Sequence, residues 1–369
     1  MEHSLIVSGS ADNTVRLWRK TKKLFKFERV GNLRPILEVL KFLSAEEVIG
    51  IARVNKQFYA ASFHSEVPKP GFRQTSILGG HTGYVYSIAV SLKKGILVSG
   101  SEDSTIRVWS LATAQLTQVL KGHSGVVCSV AISSDGEWIV SGSEDKTLRV
   151  WSLASGLTTQ VLEGHSSGVR SVAISSKDQF IVSGSYDKTL RVWSLTAGEV
   201  IRVLRGHSDC IRSVAISKTD QYIVSGSWDC TVRVWSLTSG DLIRVLQGHD
   251  GWVLSVAISN SNQFVASGSE DGTIRVWSLT NGEATQVLKH CGEVLSVTLS
   301  SDSKYLVSGS HWFEDPSVTV WDLSTGKKIK EIRDHTDSIN SLIIQEVAPQ
   351  ELKRKIIPLT KEKSKKLKS

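Results

Sequence analysis

Histidine, serine and aspartate recur through this chain in a fixed order, and they are the residue types of a hydrolytic catalytic triad. The first set is His81, Ser99 and Asp103, and Trp109 follows it. In a triad the carboxylate orients the imidazole, which takes the proton of a nucleophilic serine. An enzyme needs one such set, whereas this chain repeats it, so the repetition favours a structural role. The regular quartets are His81, Ser99, Asp103, Trp109; His123, Ser141, Asp145, Trp151; His165, Ser183, Asp187, Trp193; His207, Ser225, Asp229, Trp235; and His249, Ser267, Asp271, Trp277.

Two further quartets depart from this pattern. One lacks the glycine before its histidine and has three extra residues before its aspartate. Its members are His290, Ser308, Asp315 and Trp321. The other is complete only when the two ends of the chain are joined. Its members are His335, Ser8, Asp12 and Trp18.

The elements that position these residues are short strands. Gly-His dipeptides recur every 42 residues from Gly80-His81 to Gly248-His249. Each unit contains four segments rich in Val, Ile, Leu and Thr with turn residues between them, such as VVCSVAIS, WIVSGSED, KTLRVWSL and LTTQVLEGH. A period of roughly 40–45 residues is typical of propeller blades. One four-stranded sheet cannot cover both of its own faces, so neighbouring sheets must stack radially.

The quartets resemble those of the WD-repeat family. In that family a His before the first strand, a Ser or Thr in the second, an Asp in the next turn and a Trp in the third form a hydrogen-bonded tetrad. The resemblance implies an all-β fold, a seven-bladed WD-repeat β-propeller closed by N- and C-terminal strands. The alternative, a six-bladed ring with frayed ends, leaves unpaired strand edges. The dipeptide that names the family is weak here, because Asp follows the Trp only at Asp322.

About 49 residues are inserted after Trp18. Residues 34–64 have apolar side chains at helical spacing, and Ser44 with Glu47 fits a capping box. The pattern predicts a small α-helical insertion of two or three helices between the third and fourth strands of the closing blade. FRQTSIL, before Gly79, is predicted as that fourth strand, and KKLFKFERV, after Trp18, is its competitor.

The helical stretch also resembles an F-box, the motif that docks substrate receptors onto the adaptor of cullin-type ubiquitin ligases. The leading Leu-Pro of that motif is absent in register. The alternative is a helical pair that packs on the propeller. The resemblance implies adaptor-binding residues at Pro35, Ile36, Leu37, Leu40, Leu43 and Val54.

The net charge of +8 is concentrated at the C-terminus, where residues 351–369 hold eight Lys or Arg and two Glu. A segment this poor in apolar residues is predicted to be disordered. It fits a solubilising tail or a nuclear-localisation or nucleic-acid-contacting patch. The predicted domains are 4–30 (N-terminal part of the closing blade), 31–68 (F-box-like insertion), 71–345 (blades one to six and the first strand of the closing blade) and 346–369 (basic tail).

A ring of residues beside the His-bearing loops and Asp-bearing turns is the predicted binding site. Trp228 and Trp252 break the repeat period, so packing does not require them. Arginines on adjacent blades can bind a carboxylate or phosphate in bidentate fashion. The alternative is that glutamates at 102, 144 and 270 neutralise the arginines and leave an ordinary mixed surface. The predicted peptide-binding residues are Arg170, Arg212, Tyr186, Trp228, Trp252, Tyr84 and Tyr86.

These observations predict a non-catalytic scaffold that binds acidic or phosphorylated peptides, with the F-box resemblance implying the substrate receptor of a cullin-type ubiquitin ligase. The alternative is a nuclear WD-repeat subunit of a chromatin, RNA-processing or signalling complex. The sequence shows no phosphate-cradling glycine loop, no nucleophile elbow and no metal-like cysteine spacing, so we expect no enzyme activity, metal or cofactor. No apolar run approaches the ~20 residues of a membrane span. We therefore expect a soluble protein of the cytoplasm, the nucleus or both.

Overall fold

The computed structural model describes residues 4–20, 72–311, 316–333, 335 and 337–346. In these ranges the chain forms 28 strands, which pair into seven four-stranded antiparallel sheets. The predicted all-β, seven-bladed propeller is confirmed. Among the described residues there is no helix that is long and apolar enough to cross a membrane.

Each sheet is one blade, numbered from the first Gly-His pair. The closing blade contains β1 (Ser4–Ser10), β2 (Val15–Lys20), β3 (Phe72–Leu78) and β28 (Ile339–Glu346). Blade one contains β4 (Val85–Ser91), β5 (Ile96–Ser101), β6 (Thr105–Ser110) and β7 (Leu116–Lys121). Blade two contains β8 (Val127–Ile132), β9 (Trp138–Ser143), β10 (Leu148–Ser152) and β11 (Thr158–Leu162). Blade three contains β12 (Val169–Ile174), β13 (Phe180–Ser185), β14 (Leu190–Ser194) and β15 (Val200–Leu204).

The remaining three blades repeat this arrangement. Blade four contains β16 (Ile211–Ile216), β17 (Tyr222–Ser227), β18 (Val232–Ser236) and β19 (Leu242–Leu246). Blade five contains β20 (Val253–Ile258), β21 (Phe264–Ser269), β22 (Thr273–Ser278) and β23 (Ala284–Lys289). Blade six contains β24 (Glu293–Leu299), β25 (Tyr305–His311), β26 (Val318–Asp322) and β27 (Lys327–Ile332).

The closing blade joins the two ends of the chain. Strand β28 pairs with β1 in a register that runs from Ser4 opposite Glu346 to Ser10 opposite Ile339. Strand β1 then pairs with β2, and β2 with β3. The segment FRQTSIL is therefore the fourth strand, as predicted, and the closure by N- and C-terminal strands is confirmed.

The first strands of the blades surround a central channel. Each contacts the first strand of the next blade, in the order β4, β8, β12, β16, β20, β24, β28 and back to β4. Aliphatic side chains and the quartet tryptophans fill the spaces between blades; Ile106 of blade one, for example, shares a buried cluster with Trp151 of blade two. A Cβ atom on Gly226 would lie 2.6 Å from Val253 Cγ1 of the next blade, so only glycine permits this approach.

The two faces of the ring carry different connections. We call the face with the Asp-bearing turns the upper face. Strand β2 starts after the Asp12 turn and therefore ends on the lower face, and β28 ends there too because it runs antiparallel to β1. The described chain therefore stops at Lys20 and Glu346 on the lower face and resumes there at Phe72. The predicted F-box-like insertion (31–68) lies outside the described residues, and so does the predicted basic tail (346–369) except for Glu346, which is the last residue of β28.

Candidate protein-interaction site

The five regular quartets form hydrogen-bonded tetrads. In each, His Nδ1 lies 2.7–2.8 Å from an Asp oxygen, His Nε2 lies 2.7–2.8 Å from the Ser hydroxyl, and the Trp indole N–H donates to the same hydroxyl at 2.8–2.9 Å. A carboxylate only accepts, so His Nδ1 donates to it and His Nε2 accepts from the serine. Every polar group of the tetrad is thereby satisfied.

Burial and charge fix the protonation states of the tetrads. Burial lowers the pKa of His81, and it does the same for the pKa of His207. Burial alone raises the pKa of Asp103, but the hydrogen bonds from His81 and Thr105 outweigh it and hold the pKa far below its usual value. The tetrad serines are 0% exposed. A serine that no substrate can reach cannot act as a nucleophile, so these sets are structural.

The seventh quartet forms across the chain ends. His335 Nε2 lies 2.6 Å from the Ser8 hydroxyl, and His335 Nδ1 lies 3.0 Å from Asp12 Oδ2. The segment that begins at Ser4 and the segment that ends at Glu346 are therefore joined by side chains as well as by strand pairing.

Blade six, whose quartet departs from the pattern in sequence, also lacks the regular hydrogen bonds among its described residues. Ser308 still accepts from Trp321 Nε1 at 2.8 Å. His290 Nε2, however, is buried and has no hydrogen-bond partner within the described ranges, and Asp315 lies outside them. Burial lowers the pKa of His290 to about 4. His290 keeps the ring contact that the regular tetrads make, with 6.0 Å between its centroid and that of Trp321, and its Nδ1 accepts from the Cys291 N–H at 3.1 Å.

The predicted binding ring is held on the upper face by backbone hydrogen bonds. The backbone N–H of the residue before the turn Asp donates to the backbone carbonyl of the residue before the first strand. Glu102 donates in this way to Tyr84 at 2.9 Å, and Glu270 donates to Trp252 at 2.9 Å. The Trp228 N–H donates in the same way to Cys210 at 3.0 Å. Blades one, four and five thus each present two adjacent side chains at the mouth of the channel.

Five of the predicted residues form one continuous series of contacts, which we call the aromatic arc: Tyr86, Arg170, Tyr186, Trp228 and Trp252. The Arg170 guanidinium lies over the ring of Tyr86 at 5.7 Å and over that of Tyr186 at 5.1 Å. Tyr186 meets Trp228 edge to face at 5.6 Å, and Trp228 stacks on Trp252 at 4.4 Å. The arc crosses the upper face from blade one to blade five.

Tyr84 extends the arc at its blade-one end, where it packs edge to face on Tyr86 at 6.5 Å. The two ends of this surface are its most accessible parts, because Tyr84 is 43% exposed and Trp252 is 41% exposed.

The two predicted arginines are not equivalent. Arg170 is buried, pairs with Glu144 at 3.1 Å and contacts Cys128 Sγ at 3.3 Å. Arg212 makes no hydrogen bond or ion pair with any residue of the described ranges. Its pKa is lowered to about 10 by burial and then by the positive charge of Arg170. The two arginines were predicted to bind one carboxylate or phosphate together, but Arg170 is already paired with Glu144 and only Arg212 is unpaired within the described ranges.

The nearby glutamates divide between two roles. Glu144 neutralises Arg170, as the alternative interpretation of the surface expected. Glu102 and Glu270 instead accept the backbone N–H groups of Tyr84 and Trp252, each at 3.3 Å. The glutamates thus neutralise Arg170 but not Arg212.

Cys128 is a further member of the channel lining that the predicted binding residues did not include. It occupies the position in β8 that Arg170 occupies in β12, and the 42-residue period was the available signal. The predicted adaptor-binding residues lie outside the described residues: Pro35, Ile36, Leu37, Leu40, Leu43 and Val54.

A closed ring of seven blades with repeated buried tetrads and an upper face rich in Tyr, Trp and Arg defines a β-propeller of the scaffold class. The WD domain, G-beta repeat family (WD40) matches this chain at residues 2–19, 72–110, 114–152, 156–194, 198–236, 240–278 and 282–322. These segments cover well over half of the chain, which belongs to the WD40 family. Members of this family typically bind proteins or peptides and are generally not catalysts, so the fold is that of a protein-interaction scaffold.

Proposed function

We propose that this chain is a non-catalytic scaffold that binds an acidic or phosphorylated peptide segment of a partner protein across its upper face. The observation that carries the proposal is the aromatic arc from Tyr86 to Trp252. Trp, Tyr and Arg are the residue types that dominate binding hot spots. Here they are gathered on one side of the channel, at positions where the repeat does not demand them.

The arc supports binding because it is ordered before a partner arrives. Each aromatic pair is worth about 0.5–1.5 kcal/mol beyond its buried area, and the contacts of Arg170 with two rings add to this. Side chains that are already fixed lose little conformational entropy on binding. Tyr84 and Trp252 leave accessible apolar surface at the two ends, which a peptide can cover.

The test is capture of nonapeptide pools in which the central residue is Glu, Gln or phosphoserine and all other positions are random. Trp252→Ala removes a 41% exposed ring that stacks on Trp228, and we expect at least about a tenfold loss of affinity with a folded protein whose stability falls only by the value of one aromatic pair, about 0.5–1.5 kcal/mol. Val287→Ala is the matched control, because Val287 is 47% exposed on the outer strand β23, away from the channel. Equal capture by wild type and Trp252→Ala would falsify the proposal.

We also propose, from the resemblance of residues 31–68 to an F-box, that the lower face recruits the adaptor of a cullin-type ubiquitin ligase. The supporting observation is topological: β2 ends at Lys20 and β3 begins at Phe72, both on the lower face, so an adaptor bound at that face would leave the upper face open for substrate. A pull-down with the adaptor, with and without Leu40→Asp and Leu43→Asp, tests this. No adaptor on the wild-type chain rules out the ligase role and favours the alternative of a nuclear scaffold subunit.

The basic tail is the feature that would support that alternative. Residues 351–369 carry a net charge of +6. Truncation after residue 350 should change the location of the protein in the cell or its RNA binding if the tail has this role. Unchanged location and binding leave the tail as a solubilising segment.

A further inference from the structure

The residue that follows the first fully buried Val or Ile of each first strand lines the central channel. Arg170 of blade three contacts Tyr86 of blade one, and Tyr86 also influences the pKa of Arg212 in blade four. These blades are not neighbours, so the contacts are made through the channel. The residues at this position are Tyr86, Cys128, Arg170, Arg212, Leu254, Leu295 and Asn340.

The lining contains one positive charge in excess. Arg170 is matched by Glu144 at 3.1 Å. Arg212 lies in a recess: protein atoms surround its side chain, but part of the residue is still accessible to solvent. In the described part of the chain no carboxylate pairs with it. The groups that act most strongly on its pKa after burial are Arg170, Cys128 and Tyr186, of which only Arg170 is charged at neutral pH. An unmatched guanidinium in a recess is unfavourable unless an anion joins it.

Tyr86 and Tyr186 both contact Arg170, whose guanidinium lies 5.7 and 5.1 Å from their ring centroids, and both act on the pKa of Arg212. Burial raises the pKa of both Tyr86 and Tyr186, so the two phenols are protonated and can donate. Neither hydroxyl is hydrogen-bonded to another residue in the described ranges. Together with Arg212 they provide the N–H and O–H donors that the two oxygens of a carboxylate accept.

We propose that the channel mouth holds a single carboxylate of the bound peptide on Arg212, and that it prefers this monoanion to a phosphoryl group. This proposal rests on the proposed peptide-binding function, and it narrows the expected ligand from acidic or phosphorylated peptides to those that present a carboxylate. The carboxylate belongs to an Asp or Glu side chain or to a peptide C-terminus.

The preference follows from charge matching. A phosphoryl group carries about −1.5 to −2 charges at pH 7. The recess supplies one uncompensated positive charge, so a carboxylate is neutralised there while a phosphoryl group brings excess negative charge beside Glu144. Burying an uncompensated charge away from water costs free energy. The phosphoryl group would carry such a charge in the recess, whereas the carboxylate would not.

The test compares the Glu, Gln and phosphoserine pools, each with free and amidated C-termini, by fluorescence polarisation. We expect the wild type to prefer Glu over Gln by about tenfold or more, and to bind the phosphoserine pool less well than the Glu pool. A preference for Glu over Gln assigns the carboxylate to the side chain, whereas equal binding of the Glu and Gln pools that is lost on amidation assigns it to the C-terminus. Both results support the inference.

Arg212→Leu is the decisive variant, because Leu254 already occupies the equivalent position of blade five and is buried there. It should abolish the preference for a carboxylate. Arg202→Gln is the matched control: it removes the same charge from outer strand β15, where other blades carry Gln118, Gln160 and Gln286. Tighter binding of phosphoserine than of Glu, or a Glu preference that survives Arg212→Leu, overturns the inference. Capture that depends on Trp252 but not on the central residue or the C-terminus overturns the inference alone and leaves the peptide-binding function standing.

Discussion

The irregular tetrad of blade six provides a control inside the molecule for the energetic role of the regular ones. Ser225 in blade four serves two partners, since it lies 2.8 Å from His207 Nε2 and accepts from Trp235 Nε1 at 2.9 Å. Ser308 in blade six serves only Trp321 Nε1, at 2.8 Å. Both serines are 0% exposed. Replacing each by alanine therefore removes a similar volume but a different number of hydrogen bonds.

The expected magnitudes follow from the groups that are left unpaired. A buried donor or acceptor without a partner costs about 1–3 kcal/mol. Ser225→Ala strands the indole N–H of Trp235 and Nε2 of His207, so we expect a loss of about 4 kcal/mol in the free energy of unfolding. Ser308→Ala strands only the indole N–H of Trp321, because His290 Nε2 is already unpaired, and should cost about 2 kcal/mol.

Equilibrium unfolding in urea measures both changes, followed by tryptophan fluorescence and by circular dichroism so that a loss of two-state behaviour is visible. The ratio of the two losses is the informative quantity, since it does not depend on the exact value assigned to one hydrogen bond. Equal losses for the two variants, or a larger loss for Ser308→Ala, would refute the account of the tetrads.

Two further predictions concern charge. The folded-state pKa of His290, about 4, is below its unfolded value of 6.5, so its contribution to stability is lost as the pH falls from 6.5 to 4. In unfolding experiments, the free energy of unfolding of His290→Phe should therefore rise by about 3 kcal/mol relative to that of the wild type across this range. A difference between the two proteins that does not change with pH contradicts this expectation. Glu144→Gln leaves Arg170 unmatched, so capture of the phosphoserine pool should rise by about threefold or more relative to the Glu pool. An unchanged ratio contradicts charge matching, and Glu163→Gln, a change of the same charge outside the channel mouth, is its control.

The sequence predicted the features that recur in every blade, but it did not predict the side-chain contacts that depend on the adjacent blade. The 42-residue period was enough to place the strands, the closure and the positions of Trp228 and Trp252. It could not distinguish Arg170 from Arg212, which occupy equivalent positions, because the difference comes from Glu144 on a neighbouring blade. The same limit applies to His290: the residue types of a quartet are present, but whether Nε2 meets a hydroxyl depends on the local backbone. The F-box resemblance stays a prediction, since its residues lie outside the described ranges.

The pairing of β1 with β28 also delays closure of the ring during synthesis. Strand β28 is synthesised more than 300 residues after β1, and their register joins Ser8 to Leu342. At about 5–20 residues per second, β1 waits on the order of tens of seconds for its partner. During that interval the nascent ring is open, and β1 lacks the strand that pairs with it in the closed blade. We therefore expect this chain to depend most on chaperones in the interval before β28 is synthesised.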